Sequence, residues 1–209
     1  MKTRSKYNFL LVPALIGCLV FISCSEEPQP VEETSKIIYK VDGRSVKVSD
    51  VSPIAVDLSE DGIVDFTVFV QLSANGQGDH LNVGINPIGF NLIKSGPSND
   101  SRFLNMGFAI EEPINSLIDG NLGVGQRWTS DHSALVIRHT NTNGSIWYEG
   151  PWQHQEFQIV AIRHERKGNL YFGWLRLTFN KVNETVTLID YAYREIPNKA
   201  LRPDESIFE

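Results

Sequence analysis

Between its first strands the chain reads Asp57-Leu58-Ser59-Glu60-Asp61-Gly62-Ile63-Val64-Asp65. Asp57, Ser59, Asp61 and Asp65 offer side-chain oxygens, Ile63 offers its carbonyl, and Gly62 supplies a sharp turn. Alternating oxygens on a tight loop suit a hard cation such as calcium, which takes about six to eight oxygen ligands. The pattern is not an EF-hand: the twelfth position is Val68 where a bidentate glutamate is needed, and a strand follows instead of a helix. Calcium loops that cap β-hairpins are the closer comparison. With Ser59 in place of an acid, the expected affinity is weak, on the order of 10⁻⁴ M. The competing reading is a polar turn whose carboxylates accept backbone N–H groups without a metal. Glu60, out of phase with the ligand set, is expected to face solvent.

A second constellation is Trp147-Tyr148-Glu149-Gly150-Pro151-Trp152-Gln153-His154. Aromatic faces on a loop can stack on sugar rings while amides bond hydroxyls, so Trp147, Tyr148, Trp152 and His154 are candidate glycan contacts. The competing reading packs Trp147 and Trp152 into the end of a sandwich. Trp128 and Trp174 stand in or beside strands and are expected in the core. No histidine pair has transition-metal spacing, and the histidines are expected as isolated surface or turn residues. Gly-x-Ser-x-Gly, the phosphate loop and His-Glu-x-x-His are all missing. Asp65, Glu111, Glu112, Glu149 and Glu156 are the carboxylates from which a glycosidase pair would be drawn.

The elements that must position these groups are strands. Val64, Phe66, Val68, Val70 and Leu72 alternate with Asp65, Thr67, Phe69 and Gln71, which predicts one buried face on a strand. Asp42-Gly43 between two apolar runs predicts a hairpin turn. Short alternating segments recur to residue 193, joined by Gly, Asn and Pro turns, with no helix of usual length and no repeat. The expected fold is all-β, an antiparallel β-sandwich of jelly-roll or lectin-like type.

The N-terminus carries a different signal. Lys2, Arg4 and Lys6 precede an apolar run from Phe9 to Ile22, too short for a comfortable membrane span of about 20 residues. The run ends Phe21-Ile22-Ser23-Cys24, and this resembles the lipobox of bacterial lipoproteins. That resemblance implies cleavage before Cys24 and its modification with fatty acyl chains such as palmitate. Leu15-Ile16-Gly17-Cys18 also fits, but a cut there leaves Leu19-Val20-Phe21-Ile22 as an apolar stub. Ser25-Glu26-Glu27 resembles the acidic tag of Bacteroidetes surface lipoproteins. The expected organisation is a signal peptide at 1–23, an acidic Pro/Glu linker at 24–35 and one domain at 36–209. Both cysteines, Cys18 and Cys24, lie in the leader, so the domain has no disulfide or thiol chemistry. The net charge of -6 argues against nucleic acid as a partner, and removing the leader makes the remainder more acidic.

Two regions together resemble a large group of secreted bacterial proteins with no established activity. One is Asp57 to Phe66, an Asp-rich loop ending Asp-Phe. The other is Tyr171-Phe172-Gly173-Trp174 followed by Asp190-Tyr191-Ala192-Tyr193. Members of the group usually have Asp or Asn then Gly where this chain has Ser59-Glu60, and Glu where it has Arg194. The resemblance implies a secreted β-sandwich. The expectation is therefore an outer-membrane lipoprotein on the cell surface or facing the periplasm, tethered through Cys24 and braced by calcium, that serves adhesion or another extracellular interaction without catalysis. The alternatives are a glycan-binding module or a glycoside hydrolase.

Overall fold

Alternation of side chains decides most of the elements. The computed structural model describes residues 36–98, 106–153 and 157–207, which belong to one compact unit, Thr34–Glu209. Cys24, His154 and Glu156 lie outside the described residues. In chain order the strands begin with β1 (Ile37–Val41), β2 (Ser45–Lys47), β3 (Ile54–Val56), β4 (Phe66–Asn75) and β5 (Gly78–Pro87). Next come β6 (Leu92–Ser98), β7 (Gly107–Ala109), β8 (Glu111–Glu112) and β9 (Arg127–Thr129). β10 (Ser133–Asn141) and β11 (Ile146–Glu149) form a hairpin, and β12 (Gln158–Arg166), β13 (Asn169–Asn180) and β14 (Thr185–Arg194) a meander. A four-residue helix, Asp204–Ile207, is the α-helix of the described residues.

Hydrogen-bonded neighbours run β1-β14-β13-β12-β6-β7-β10-β5-β4-β3, an open path whose two halves pack on each other. Val56, Phe66, Val83 and Val136 from one half share a core with Val160, Leu175 and Leu188 from the other, all without solvent exposure. This is the all-β, sandwich-like fold the alternation predicts. The pairing is not uniformly antiparallel, because β7 lies parallel to β10 through Ser133↔Gly107 and Ala134↔Phe108.

Two local expectations are corrected. Asp42-Gly43 does not reverse the chain. β1 and β2 lie end to end along β14, with Val41 opposite Asp190 and Ser45 opposite Thr187. The step is one residue longer on the β1–β2 side, so Gly43, at φ +80°, makes a bulge. Leu72 is 49% exposed, because β3 pairs only with Phe66 to Val68 and the far half of β4 outruns its cover.

The two outer faces differ. Outside the β12–β14 meander, Ile118 and Leu201 exchange backbone hydrogen bonds of 2.8 and 3.0 Å and roof Ile159, Ala161, Phe172, Trp174 and Ala192. That meander is apolar on both faces and has to be covered on both. On the outer face of β4, β5 and β10 the strands present polar and histidine side chains beside a small apolar cluster of Phe69, Met106, Phe108, Ala134 and Ile137.

Tyr171-Phe172-Gly173-Trp174 and Asp190-Tyr191-Ala192-Tyr193 are adjacent strands, with Gly173 opposite Tyr193 and Trp174 opposite Ala192. A Cβ on Gly173 would stand 2.6 Å from the Ala192 carbonyl oxygen and 2.9 Å from Tyr193 Cβ. Backbone cannot yield there, so Gly173→Ala is expected to cost about 1–3 kcal/mol in urea unfolding. Gly76→Ala, where nothing lies within 4 Å, should leave the midpoint close to wild type.

Candidate functional site

The acidic loop is closed largely by its own chain. Asp57 accepts the N–H of Asp61 at 3.3 Å and of Gly62 at 2.8 Å, and Asp61 accepts the N–H of Ile63 at 2.9 Å. Positive φ at Glu60 and Gly62 makes this tight return. Leu58, fully buried, plugs the loop into the core. Glu60 reaches outward to an ion pair with Lys40, its side chain 72% exposed. Asp65 turns the other way and is buried. It accepts the Leu58 N–H at 2.8 Å, the Asn91 amide at 3.1 Å and His164 Nδ1 at 3.3 Å. Asp57 and Asp61 are thus brought together at the loop surface, while Asp65 belongs to an interior node. Ser59 is half-buried and Ile63 exposed. Among the described residues, no three His, Cys, Asp or Glu side chains are grouped to hold a metal.

Asn91 fixes the protonation of that node. Its amide nitrogen faces only acceptors: the Asp65 carboxylate, the Asp65 carbonyl and the Ile88 carbonyl. Its oxygen accepts the Glu165 N–H at 2.8 Å and His164 Nδ1 at 3.2 Å. Nδ1 of His164 therefore carries a hydrogen. The rings of Tyr171 and Tyr193 flank His164 at 6.0 and 5.8 Å, so both late motifs meet the early loop here. Burial pushes the Asp65 carboxyl upward, but His164, the Leu58 N–H and Asn91 outweigh it and hold the pKa below the usual value.

The aromatic stretch divides. Trp152 is 3% exposed and sits in the main core, so its ring does not meet solvent. Tyr148 faces the core side of β11, with Lys181 Nζ 4.7 Å from its ring centre. Trp147 points outward, 45% exposed, with one ring face stacked on His139 at 4.8 Å and an interplanar angle of 14°.

Behind Trp147 lies a group that the sequence concealed. His139 and His80 are opposite one another on β10 and β5, 3% and 2% exposed. Their Nδ1 atoms are 2.8 Å apart, His139 Nε2 is 3.0 Å from the Glu149 carboxylate, and His80 Nε2 is 3.4 Å from Asn75 Oδ1. Only one hydrogen fits between the two Nδ1 atoms. Two protons fill the two short gaps and a third fills the long one, while a fourth would set two N–H groups against each other. Burial first, and then the His139 charge, push the His80 pKa down, against a smaller upward pull from Asp79. Beside them, fully buried Asn82 donates to Ser73 Oγ at 3.2 Å, and its own oxygen has no hydrogen-bond partner among the described residues. Three histidines are thus not the isolated surface residues expected, since His80, His139 and His164 are all buried and bonded, whereas His132 is exposed as expected.

Among the described residues, the carboxylates considered for glycosidase chemistry are dispersed. Glu112 is buried against Lys94 at 2.7 Å, Asp65 serves the interior node, and Glu149 holds His139. Comparison of the chain with protein-family models, with curated proteins and with solved structures gives no match.

Two outcomes follow for stability. Replacing Asp65 by Asn breaks a buried charged contact and is expected to cost about 3 kcal/mol at pH 7. A carboxyl held below its normal pKa stabilises fully above about pH 4 and loses that contribution as pH falls through the folded value. Urea unfolding should therefore show the gap between wild type and Asp65→Asn narrowing in acid. His80 has the same acid-side sign by another route: the unfolded imidazole takes up a proton near pH 6.5 that the folded one resists. Stability should fall from pH 7.5 to 5.5, and less steeply in His80→Gln.

Proposed function

We propose that this chain is an exported, lipid-tethered binding protein that recognises carbohydrate through the Trp147 face of its sandwich and catalyses no reaction. The observation that carries this reading is the Trp147 ring, stacked on His139 and 45% exposed to solvent. An aromatic plane already fixed in place loses little entropy when a sugar ring stacks on it. Hydroxyl and amide groups on the same side of β4 (Ser73 and Asn75) supply directional bonding of the kind sugar hydroxyls use. Glu149 alone does not provide the two facing carboxylates of a glycosidase. The basic start, apolar run and Cys24 support export and anchoring at the outer membrane, with Ser25-Glu26-Glu27 favouring the cell surface. Two or three acyl chains make such anchoring stable. This reading does not draw on calcium, for which Asp57 and Asp61 at the loop surface would be the place.

The test is a titration of the protein with soluble neutral glucans, mannans and xylans, followed by tryptophan fluorescence and calorimetry. Saturable binding is expected, with Trp147→Ala weakening it by about tenfold or more, roughly 1.4 kcal/mol. No heat and no spectral change across the panel, or equal binding by Trp147→Ala, would overturn the proposal.

A further inference from the structure

A cavity of about 390 Å³ opens between Thr67, Phe69, Gln71, Asn86, Met106 and His132. Its place follows from strand register. Thr67 lies opposite Asn86, Phe69 opposite Gly84 and Gln71 opposite Asn82. Four residues beyond Phe69 on β4, Ser73 lies opposite His80, which is opposite His139, which is opposite Trp147. Side chains two and four residues apart on a strand share a face, so the cavity and Trp147 open on the same side of one sheet. Phe69 confirms the side: its ring lies where a Cβ on Gly84 would point, 2.6 Å away, and it packs with Ile137 of the outer face. Four residues along the strand and three strand spacings across it separate Phe69 from Trp147, a diagonal of about 20 Å.

The two ends share a chemistry. At one end stands the Trp147 plane beside imidazole and amide groups. At the other stand the Phe69 ring and Met106, with a hydroxyl at Thr67, amides at Gln71 and Asn86 and an imidazole at His132. Among the described residues the cavity lining contains no carboxylate, lysine or arginine, and the carboxylate beside Trp147 is tied to His139. Along β4 between the two ends, Gln71 is exposed and Ser73 half-buried. The cavity volume lies in the range of sites for small ligands or ligand fragments.

We infer that the cavity is a second sugar subsite and that the ligand is a chain of uncharged sugar residues long enough to reach from Trp147 to Phe69. The inference rests on the carbohydrate reading above and adds the ligand's length and charge. The described lining residues offer no charged partner, which disfavours uronic acids and sulfated sugars, whose charge would be desolvated without one. One ligand spanning two subsites binds more tightly than either subsite alone, because the second contact is intramolecular.

Calorimetry with linear gluco-, manno- and xylo-oligosaccharides of increasing length tests it. Affinity is expected to rise at least tenfold between the disaccharide and the hexasaccharide of the binding series. The double variant Gln71→Ala/His132→Ala alters two exposed side chains and is expected to keep its unfolding midpoint. It should abolish the gain with length while leaving the disaccharide affinity unchanged, whereas Trp147→Ala should weaken both. Binding that is independent of length, or unaltered by the double variant, overturns the second subsite and leaves the Trp147 reading standing. Tighter binding of uronic-acid oligomers overturns the neutral-chain assignment. Failure of every series overturns both readings. Sedimentation as a dimer that the double variant dissociates would assign the cavity to a second copy of the chain and overturn the inference.

Discussion

A sheet has two faces, and apolar ones must be covered; this fold meets that constraint unevenly. β12 to β14 carry apolar side chains on both sides, so one side meets β3, β4, β5 and β10 and the other needs a roof. Residues around Ile118 and Leu201 supply it, joined by a backbone bridge that leaves Trp174 with no exposure. Fully burying a large apolar side chain is worth about 1.5–3 kcal/mol. The roof is thus part of the folding free energy. The opposing strands have an apolar inner row and a mixed outer row, in which His80 and His139 are buried while Gln71 and Asn75 along β4 stay exposed. The open face is a consequence of how the apolar residues are distributed.

Polar groups left beneath such a face have to be satisfied, and this is what makes it stiff. His80 and His139 share one hydrogen, Glu149 holds the far nitrogen of His139, and Trp147 lies flat on the ring. A buried pair of this kind costs desolvation and returns geometry. The indole of Trp147 is held at a fixed tilt on an edge strand, where an unbacked side chain would sample several rotamers. The Asp65, Asn91 and His164 node plays the matching role at the loop end, joining the acidic loop to β12 through bonds of about 3 Å.

Local information was legible in the sequence and pairing was not. Alternation gave β4, because a period of two is written in adjacent residues. The acidic loop was recognisable as a tight turn, yet nothing in Asp57 to Asp65 says that Asp65 turns inward to a histidine 99 positions away. The Asp-Gly step reads as a hairpin in isolation and becomes a bulge only because β14 pairs with both flanking strands. Trp147 and Trp152 look equivalent in a row of residues. A strand ending at Glu149 and a 3-10 turn at Pro151–Gln153 send one outward and the other into the core. His80 and His139 carried no spacing signal at all, since 59 residues separate partners that strand pairing brings face to face.

The central claim is that the Trp147 face is where this protein meets its ligand. Backbone amide NMR of the 15N-labelled protein, titrated with the tightest-binding neutral oligosaccharide, tests it most directly. Shifts gathered on β4, β5, β10 and β11, including Gln71, Ser73, His80, His139 and Trp147, with the Trp147 side-chain N–H among the largest, are the predicted result. Shifts gathered instead around Asp61, Phe90 and Lys167 at the loop end, or scattered without saturation, would contradict it.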